Sequence, residues 1–365
     1  MPTVQTLTIT GYKSIRELHD FELRNLNVLI GANGAGKSNF IGFFRLLAEI
    51  AEQRLQVFVQ KQGGPDTLLH YSRQVTDRIY ADIQFGDGNY TFFLIPTNDN
   101  RLIFEREFAS VTDERGKPNF SLAFLDGNAE SHLTESRNQH TANTGASLIA
   151  TIKSWRIYHF QDTSETAKVK QPHARNDTLR LKVDSANLAA YLHMLRTKHA
   201  SHYRLIVETI RLIAPFFSDF VHRDDDAATI ELEWTEQGNP DTPFKAHMLS
   251  DGTLRFICLA TLLLQPHELM PSTILIDEPE LGLHPYAISV LADMLKRASE
   301  NIQLIVSTQS VELLNCLDPE DVVIVDRKDN ASTFTRLDAD ALQSWLDDYS
   351  LGDLWKQNVL GGRPA

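Results

Sequence analysis

The stretch that most constrains this chain is Gly31-Ala-Asn-Gly-Ala-Gly-Lys-Ser38, which meets the pattern G-x-x-x-x-G-K-[ST] at every fixed position. Gly31, Gly34 and Gly36 let the backbone turn where a side chain would obstruct it, so successive N–H groups can face phosphate oxygens. Lys37 supplies a point charge for the terminal phosphates, and the Ser38 hydroxyl can complete a magnesium shell. The flanks agree. Leu26–Ile30 reads as a buried strand, and Phe40–Arg54 reads as a helix whose positive N-terminal end points at the nucleotide. The loop is read as a nucleoside triphosphate site with Gly31, Asn33, Gly34, Ala35, Gly36, Lys37, Ser38 and Asn39 as its contacts.

A chain of 365 residues can bury a substantial core, as one large domain or two lobes. Its net charge of −13 argues against coating nucleic acid by charge alone, which leaves only a local basic groove for that purpose. Cys258 and Cys316 both lie in apolar runs and read as buried, reduced thiols. A signal-peptide core and an apolar run of about 20 residues are both missing, so a cytoplasmic protein without a membrane partner is expected.

The pattern along the chain changes twice. Val4–Ile9 and Phe21–Leu23 alternate as strands on the way to the loop, and Gln62-Gly-Gly-Pro-Asp66 breaks the pattern after the first helix. Residues 78–108 read as a hairpin turning at Gly86–Asn89 followed by a third strand, while the polar stretch 109–147 reads as loops or a poorly ordered excursion. A strand around Trp155–Phe160, helices over Asn187–His199 and Tyr203–Ile213, and a strand at Thr229–Trp234 follow. From Met248 the texture is regular: helix 253–264, strand 273–277, helix 285–299, strand 302–306, helix 310–316, strand 321–325. That alternation implies a parallel sheet with helices on its faces.

Three further motifs complete a site. Thr273–Ile276 is an apolar run ending in Asp277 and Glu278, and the carboxyl end of a parallel strand faces the ligand crevice. Asp277 is therefore expected to hold magnesium opposite Ser38, and Glu278 to orient or deprotonate an attacking water. Ser250 reads as an N-cap with Gly252 behind it, a second anion-binding helix start far from the first, or simply a capped helix. Leu304–Ser310 is a strand ending in hydroxyl and amide groups, from which Gln309 can bond a phosphate or the water attacking it.

In this order the four motifs resemble the ATP-binding-cassette-type heads of the RecF, structural-maintenance-of-chromosomes and overcoming-lysogenisation-defect ATPases. The resemblance rests on Thr10–Ile15, Asn27–Asn39 and Ile276–Pro285, the last similar to their Walker B and D-loop segment. A stand-alone bacterial group of ATPases is more similar still, through Tyr158–Phe160 with Asp162–Ser164, Leu249–Phe256, Tyr349–Asp353 and Leu360–Pro364. The resemblance implies an α/β fold: a P-loop NTPase of the ABC-type ATPase head class, with an N-terminal β-rich lobe and an inserted α/β lobe. Residues 1–77 and 246–338 would form the head, 78–245 the insertion and 339–365 a docking tail. It further implies ATP and Mg2+ as cofactors and a head-to-tail, ATP-dependent homodimer, in which Ser250 and Gly252 of one subunit contact ATP held by the other. Glu278 and Gln309 would be the catalytic residues, and Ser38 and Asp277 the metal ligands. Many relatives carry His where Gln309 stands. A Q-loop glutamine is expected between the first helix and the hairpin, with Gln60, Gln62, Gln74 and Gln84 as candidates. His284 in the D-loop reads as a structural contact.

Other features weigh less. Lys153–Lys182 holds seven Lys or Arg against three Asp or Glu, and reads as a solvated face rather than a nucleic-acid surface. His159, Asp162, His173 and Asp177 match no familiar metal spacing. The tail after Ser310 is too short for an appended Toprim nuclease, and its apolar residues dock on the head or on a partner. The expected function is an ATPase switch for a separately encoded effector, such as a Toprim-type nuclease in anti-phage defence or DNA maintenance. The alternatives are an ATP-dependent DNA clamp or end sensor with slow turnover and, more remotely, a transporter-type nucleotide-binding domain.

Overall fold

The computed structural model describes residues 3–86, 88–112, 118–123, 127–133, 149–160, 162–223 and 227–362. The strands in chain order are β1 (Val4–Tyr12), β2 (Ile15–Glu22), β3 (Leu26–Ile30), β4 (Ile79–Phe85), β5 (Gly88–Pro96) and β6 (Leu102–Thr112). Then come β7 (Pro118–Ala123), β8 (Arg156–Tyr158), β9 (His173–Ala174), β10 (Phe217–Phe220), β11 (Thr229–Ile230) and β12 (Glu233–Glu236). The last are β13 (Asn239–Lys245), β14 (Thr273–Asp277), β15 (Gln303–Thr308), β16 (Val322–Lys328) and β17 (Ala331–Arg336). A six-stranded sheet runs β17-β16-β3-β15-β14-β8, parallel throughout except for the β16–β17 hairpin at one edge. A second, antiparallel sheet of six strands runs β2-β1-β4-β5-β6-β7, joining strands from either side of residue 78.

The parallel sheet is covered on both faces, which is why its central strands read as continuous apolar runs. Alternate residues enter two different cores. Leu29, Leu275, Ile305, Val323 and Val325 pack with Phe40, Phe43 and Phe44 of the helix Lys37–Ala51 and with the antiparallel sheet. Val28, Ile30, Ile274, Ile276, Leu304, Val306 and Ile324 pack on the opposite side with the helices Leu188–Lys198, Ala200–Ile213, Asp251–Leu264 and Pro285–Ser299. Two fully buried amides fix this region, one between the sheets and one within the β2–β3 connection. Gln303 donates from Nε2 to the Val4 carbonyl at 2.7 Å, and Asn27 donates from Nδ2 to the Arg24 carbonyl at 2.6 Å.

Several boundaries differ from expectation for local reasons. The first helix starts at Lys37 because Gly36, at φ 122°, caps it, and it ends at Ala51; a further helix, Leu55–Lys61, follows. The carboxylate of Glu130 accepts from the Leu55 and Gln56 N–H groups and so caps that second helix. The stretch 109–147, read as loop, instead extends β6 to Thr112 and contributes β7, which pairs with it. Residues 113–117, 124–126 and 134–147 of that stretch lie outside the described residues. Thr229–Trp234 is not one strand: β11 pairs with β9, while β12 pairs with β10 and β13. Cys258 is buried, and burial pushes its thiol up to about 12, whereas Cys316 is only partly covered, correcting the expectation for that residue. No helix among the described residues is long and apolar enough to cross a membrane.

Candidate active site

The loop 31–38 leaves the carboxyl end of β3 and runs into the helix Lys37–Ala51. Its glycines are demanded by close approach. A Cβ on Gly31 would lie 2.0 Å from the Val325 carbonyl oxygen, and one on Gly36 2.0 Å from the Ser332 hydroxyl. The Ser332 hydroxyl donates to the Ala35 carbonyl and lies 2.7 Å from Ser14 Oγ, which receives the Asn39 amide at 2.7 Å. The Asn39 side chain thus ties the helix start to the β1–β2 turn. Asn33, Gly34 and Ser38 are exposed.

Lys37 is buried, and its ammonium donates to the Gly31 carbonyl at 2.6 Å and the Ala32 carbonyl at 3.1 Å. Burial lowers its pKa, and Glu278, Asp277 and Glu280 together oppose that shift. All three carboxylates therefore lie near enough to the lysine to act on its charge.

Asp277 ends β14 and accepts from the Ser307 hydroxyl of the adjacent β15. Glu278 donates its N–H to the Ser307 carbonyl at 2.9 Å and then turns at φ 47°, a left-handed conformation costing about 1–2 kcal/mol for a residue with a Cβ. The turn carries the chain out of the strand directly after its last ladder bond. The Glu278 carboxylate accepts from the Gln309 side-chain amide, bringing the two expected catalytic residues into contact. Glu280 belongs to the same cluster, although no local sequence pattern marks it. Its Oε1 accepts from Thr308 Oγ1 at 2.5 Å and from the Gln309 N–H at 3.2 Å, and burial raises its pKa.

The four candidate Q-loop glutamines are placed as follows. Gln60 is in the helix Leu55–Lys61, Gln62 accepts from Lys13 Nζ at 3.2 Å, Gln74 follows the Ser72 turn and Gln84 is inside β4. The strand beside β14 is β8, so the place next to Asp277 belongs to the segment that begins at His159. Burial lowers the His159 pKa, and the Asp277 charge acts the other way. That β8 would pair with β14 across more than a hundred residues carried no local sequence signal.

Ser250 and Gly252 are not part of this cluster. Ser250 caps the helix Asp251–Leu264 by accepting from the Thr253 N–H at 3.2 Å. With Ile213, Gly252, Gly282, His284 and Tyr286 it lines a pocket of about 170 Å³ that shares no residue with the loop 31–38. A Cβ on Gly252 would sit 2.4 Å from the Gly282 carbonyl, so the helix start and the D-loop are in backbone contact. His284 caps the helix Pro285–Ser299, its Nδ1 accepting from the Tyr286 N–H at 3.3 Å. Exposed Leu212, Met248, Leu281 and Tyr286 surround this region. Buried Arg255, also unforeseen, donates to the Phe160 carbonyl at 2.8 Å and to the Leu281 carbonyl, binding the segment after β8 to the D-loop.

The donor set suits a hard cation: a serine hydroxyl at 38 and a carboxylate at 277 are oxygen ligands of the kind Mg2+ takes. Among the described residues there is no cluster of three or more His, Cys, Asp and Glu able to hold a metal, and His173 is paired with Asp177 at 2.8 Å. The tail docks on its own head. Leu351 and Leu354 are buried, Gly352 N–H donates to Asn315 Oδ1 at 2.7 Å, and the Gly362 carbonyl accepts from the Ala32 N–H at 2.8 Å. Arg363 and Pro364 of the tail motif lie outside the described residues.

Comparison with known proteins agrees with this architecture. A family profile described as "AAA domain, putative AbiEii toxin, Type IV TA system" matches residues 26–315. No curated protein matches the chain significantly. Among solved structures, a structural-maintenance-of-chromosomes (Smc) head bound to the C-winged helix domain of ScpA is similar, with TM-score 0.58 and 16% identity over 93% of this chain and 99% of that one. The Smc head with an extended coiled coil from Pyrococcus furiosus, bound to the C-terminal domain of ScpA, gives TM-score 0.54 and 14% identity over 95% and 99%. At these identities the likeness concerns the fold, that of a P-loop NTPase of the ABC-type head class.

Proposed function

Because the chain belongs to the AAA-domain family matched over residues 26–315, we propose that it hydrolyses ATP with Mg2+ at a site completed by a second copy of itself. The ATP-joined pair would switch a separately encoded effector. The observation that carries the reading is the convergence of Lys37, Asp277, Glu278 and Gln309 at the carboxyl ends of three adjacent parallel strands.

Within that reading each group has one task. The N–H groups of the loop and of the first helical turn receive the phosphate oxygens, and Lys37 exchanges its two loop carbonyls for them. Ser38 and Asp277 would hold Mg2+, which when bound polarises the phosphate oxygens. Glu278 takes a proton from the attacking water, and the Gln309 amide fixes the carboxylate that does so. Ser250 and Gly252 reach the nucleotide of the partner copy, and the exposed Leu212, Met248, Leu281 and Tyr286 around them supply apolar surface for that meeting. By family resemblance the effector is of nuclease type. Direct clamping of DNA has less support, since Lys153, Lys168, Lys170 and Lys182 of the basic stretch are paired with Glu52, Asp184, Asp251 and Asp177.

The test uses two variants. Lys37→Ala is expected to abolish ATP binding. Glu278→Gln is expected to bind ATP, fail to hydrolyse it and accumulate as a dimer in light scattering only when ATP is present. Full hydrolysis by Glu278→Gln would falsify the catalytic assignment, and a monomer at all ATP concentrations would sink the composite site.

A further inference from the structure

Gln309 is gripped at both ends. Its side-chain amide donates to Glu278, and its backbone N–H donates at 3.2 Å to Oε1 of Glu280. The same oxygen accepts the Thr308 hydroxyl at 2.5 Å. The regular ladder between β14 and β15 ends one residue earlier, with Asp277 opposite Ser307 and the Glu278 N–H on the Ser307 carbonyl. Beyond that point the Glu280 side chain stands in for a strand partner. It holds the end of β15 against the turn that carries Glu278 at its left-handed φ of 47°. The second oxygen, Oε2, is shielded from solvent and has no hydrogen-bond partner among the described residues. A carboxyl group is costly to bury half-satisfied. Its retention there, two residues from Glu278 and two from Gly282, calls for a task.

We propose that Glu280 is a positioning residue for ATP hydrolysis: through the Gln309 backbone it sets the side-chain amide that orients Glu278. The proposal rests on the ATPase reading above. Glu280 touches neither the phosphates nor the water; it acts only through Gln309. Because Glu280 also leads into the Gly282 turn that contacts Gly252, a shift of the D-loop is felt at Gln309 through the same carboxylate. Burial, with a smaller contribution from Glu278, favours the neutral acid, and the Thr308 and Gln309 donors work against that shift. The contact is made by one acceptor oxygen, Oε1, and glutamine can supply one.

The experiment measures kcat, ATP affinity and melting temperature for Glu280→Ala, Glu280→Gln, Gln309→Ala and the double variant Glu280→Ala/Gln309→Ala. Glu280→Ala is expected to lower kcat about tenfold to a hundredfold, the scale of a small misplacement of catalytic groups, with ATP affinity within about threefold. Glu280→Gln recovers most of that loss. On the Gln309→Ala background the Glu280→Ala effect shrinks to about twofold or less, because the group it acts through is gone. If Glu280→Ala does not fold, Glu280→Asp, which withdraws the acceptor by one methylene, should show the same kcat loss at unchanged affinity. Wild-type kcat in Glu280→Ala or Glu280→Asp overturns the proposal. So does a parallel loss of binding and turnover, or an undiminished effect without Gln309. Wild-type protein and Glu278→Gln run alongside: no turnover by the wild type brings down the ATPase reading and the proposal together, whereas normal controls with a fully active Glu280→Ala bring down the proposal alone.

Discussion

Replacing Gly36 by alanine adds one methyl group at a tight point of the phosphate loop. Two costs arise there. At φ 122° the residue lies well outside the left-handed well near +57° that other residues visit, and such a conformation costs about 1–3 kcal/mol. The new Cβ would also lie 2.0 Å from Ser332 Oγ, 2.8 Å from Ser332 Cβ and 2.8 Å from Ser14 Oγ, an overpacking typically worth about 1–3 kcal/mol. Together they penalise the present loop geometry by about 2–6 kcal/mol, at about 1.4 kcal/mol per factor of ten. ATP affinity is expected to fall at least about thirtyfold, because the loop relaxes out of the shape that presents its N–H groups. Adding Ser332→Gly removes the nearest atoms while leaving the backbone strain, and should recover about tenfold of the loss. The assay is titration of Mg2+ and a fluorescent ATP analogue, with thermal melting to separate loop damage from unfolding. Wild-type affinity in Gly36→Ala, or no recovery in the double variant, would refute the reasoning.

Three other outcomes follow from particular contacts. Gly252→Ala drives a Cβ to within 2.4 Å of the Gly282 carbonyl, so ATP should still bind the isolated chain while ATP-dependent dimerisation and turnover are lost; equal loss of binding would show that the pocket at Ser250 belongs to the same copy's site. Gly362→Val meets Ile324 Cγ2 at 2.8 Å and Val325 O at 3.2 Å from a φ of 74°, so the tail should lift from Ala32 and limited proteolysis should cut it faster than in the wild type. His222 is covered and flanked by Arg196 and His193, its pKa pushed down to about 3 mainly by burial, while the unfolded chain titrates near about 6.5. The neutral ring is favoured in the fold, so this contribution is complete above about pH 6.5 and is lost as pH falls towards about 3. Urea midpoints measured at pH 7.5 and 5 should therefore fall more steeply for the wild type than for His222→Gln.

Local chemistry was enough for everything that depends on a short window. The loop 31–38, the buried strands at 26–30 and 273–277, the Ser250 cap and the α/β alternation after residue 248 are all written in residue types at fixed spacing. A phosphate loop needs glycines where N–H groups must face outward. A strand buried on both faces needs unbroken apolar residues. Neither demand involves the rest of the chain.

What tertiary structure decided is which of these pieces meet. Gln309 finds Glu278 because β15 lies beside β14, and Glu280 matters because its carboxylate completes a ladder that the backbone leaves unfinished. β8 is the strand beside β14, through a pairing set by burial across a long interval of sequence. Gly31 and Gly36 show the division most clearly: sequence marks both as loop glycines, but the atoms that forbid a side chain there belong to Val325 and Ser332. Residue type specifies local geometry, whereas contact between distant strands depends on how whole faces bury each other, and no short window contains that.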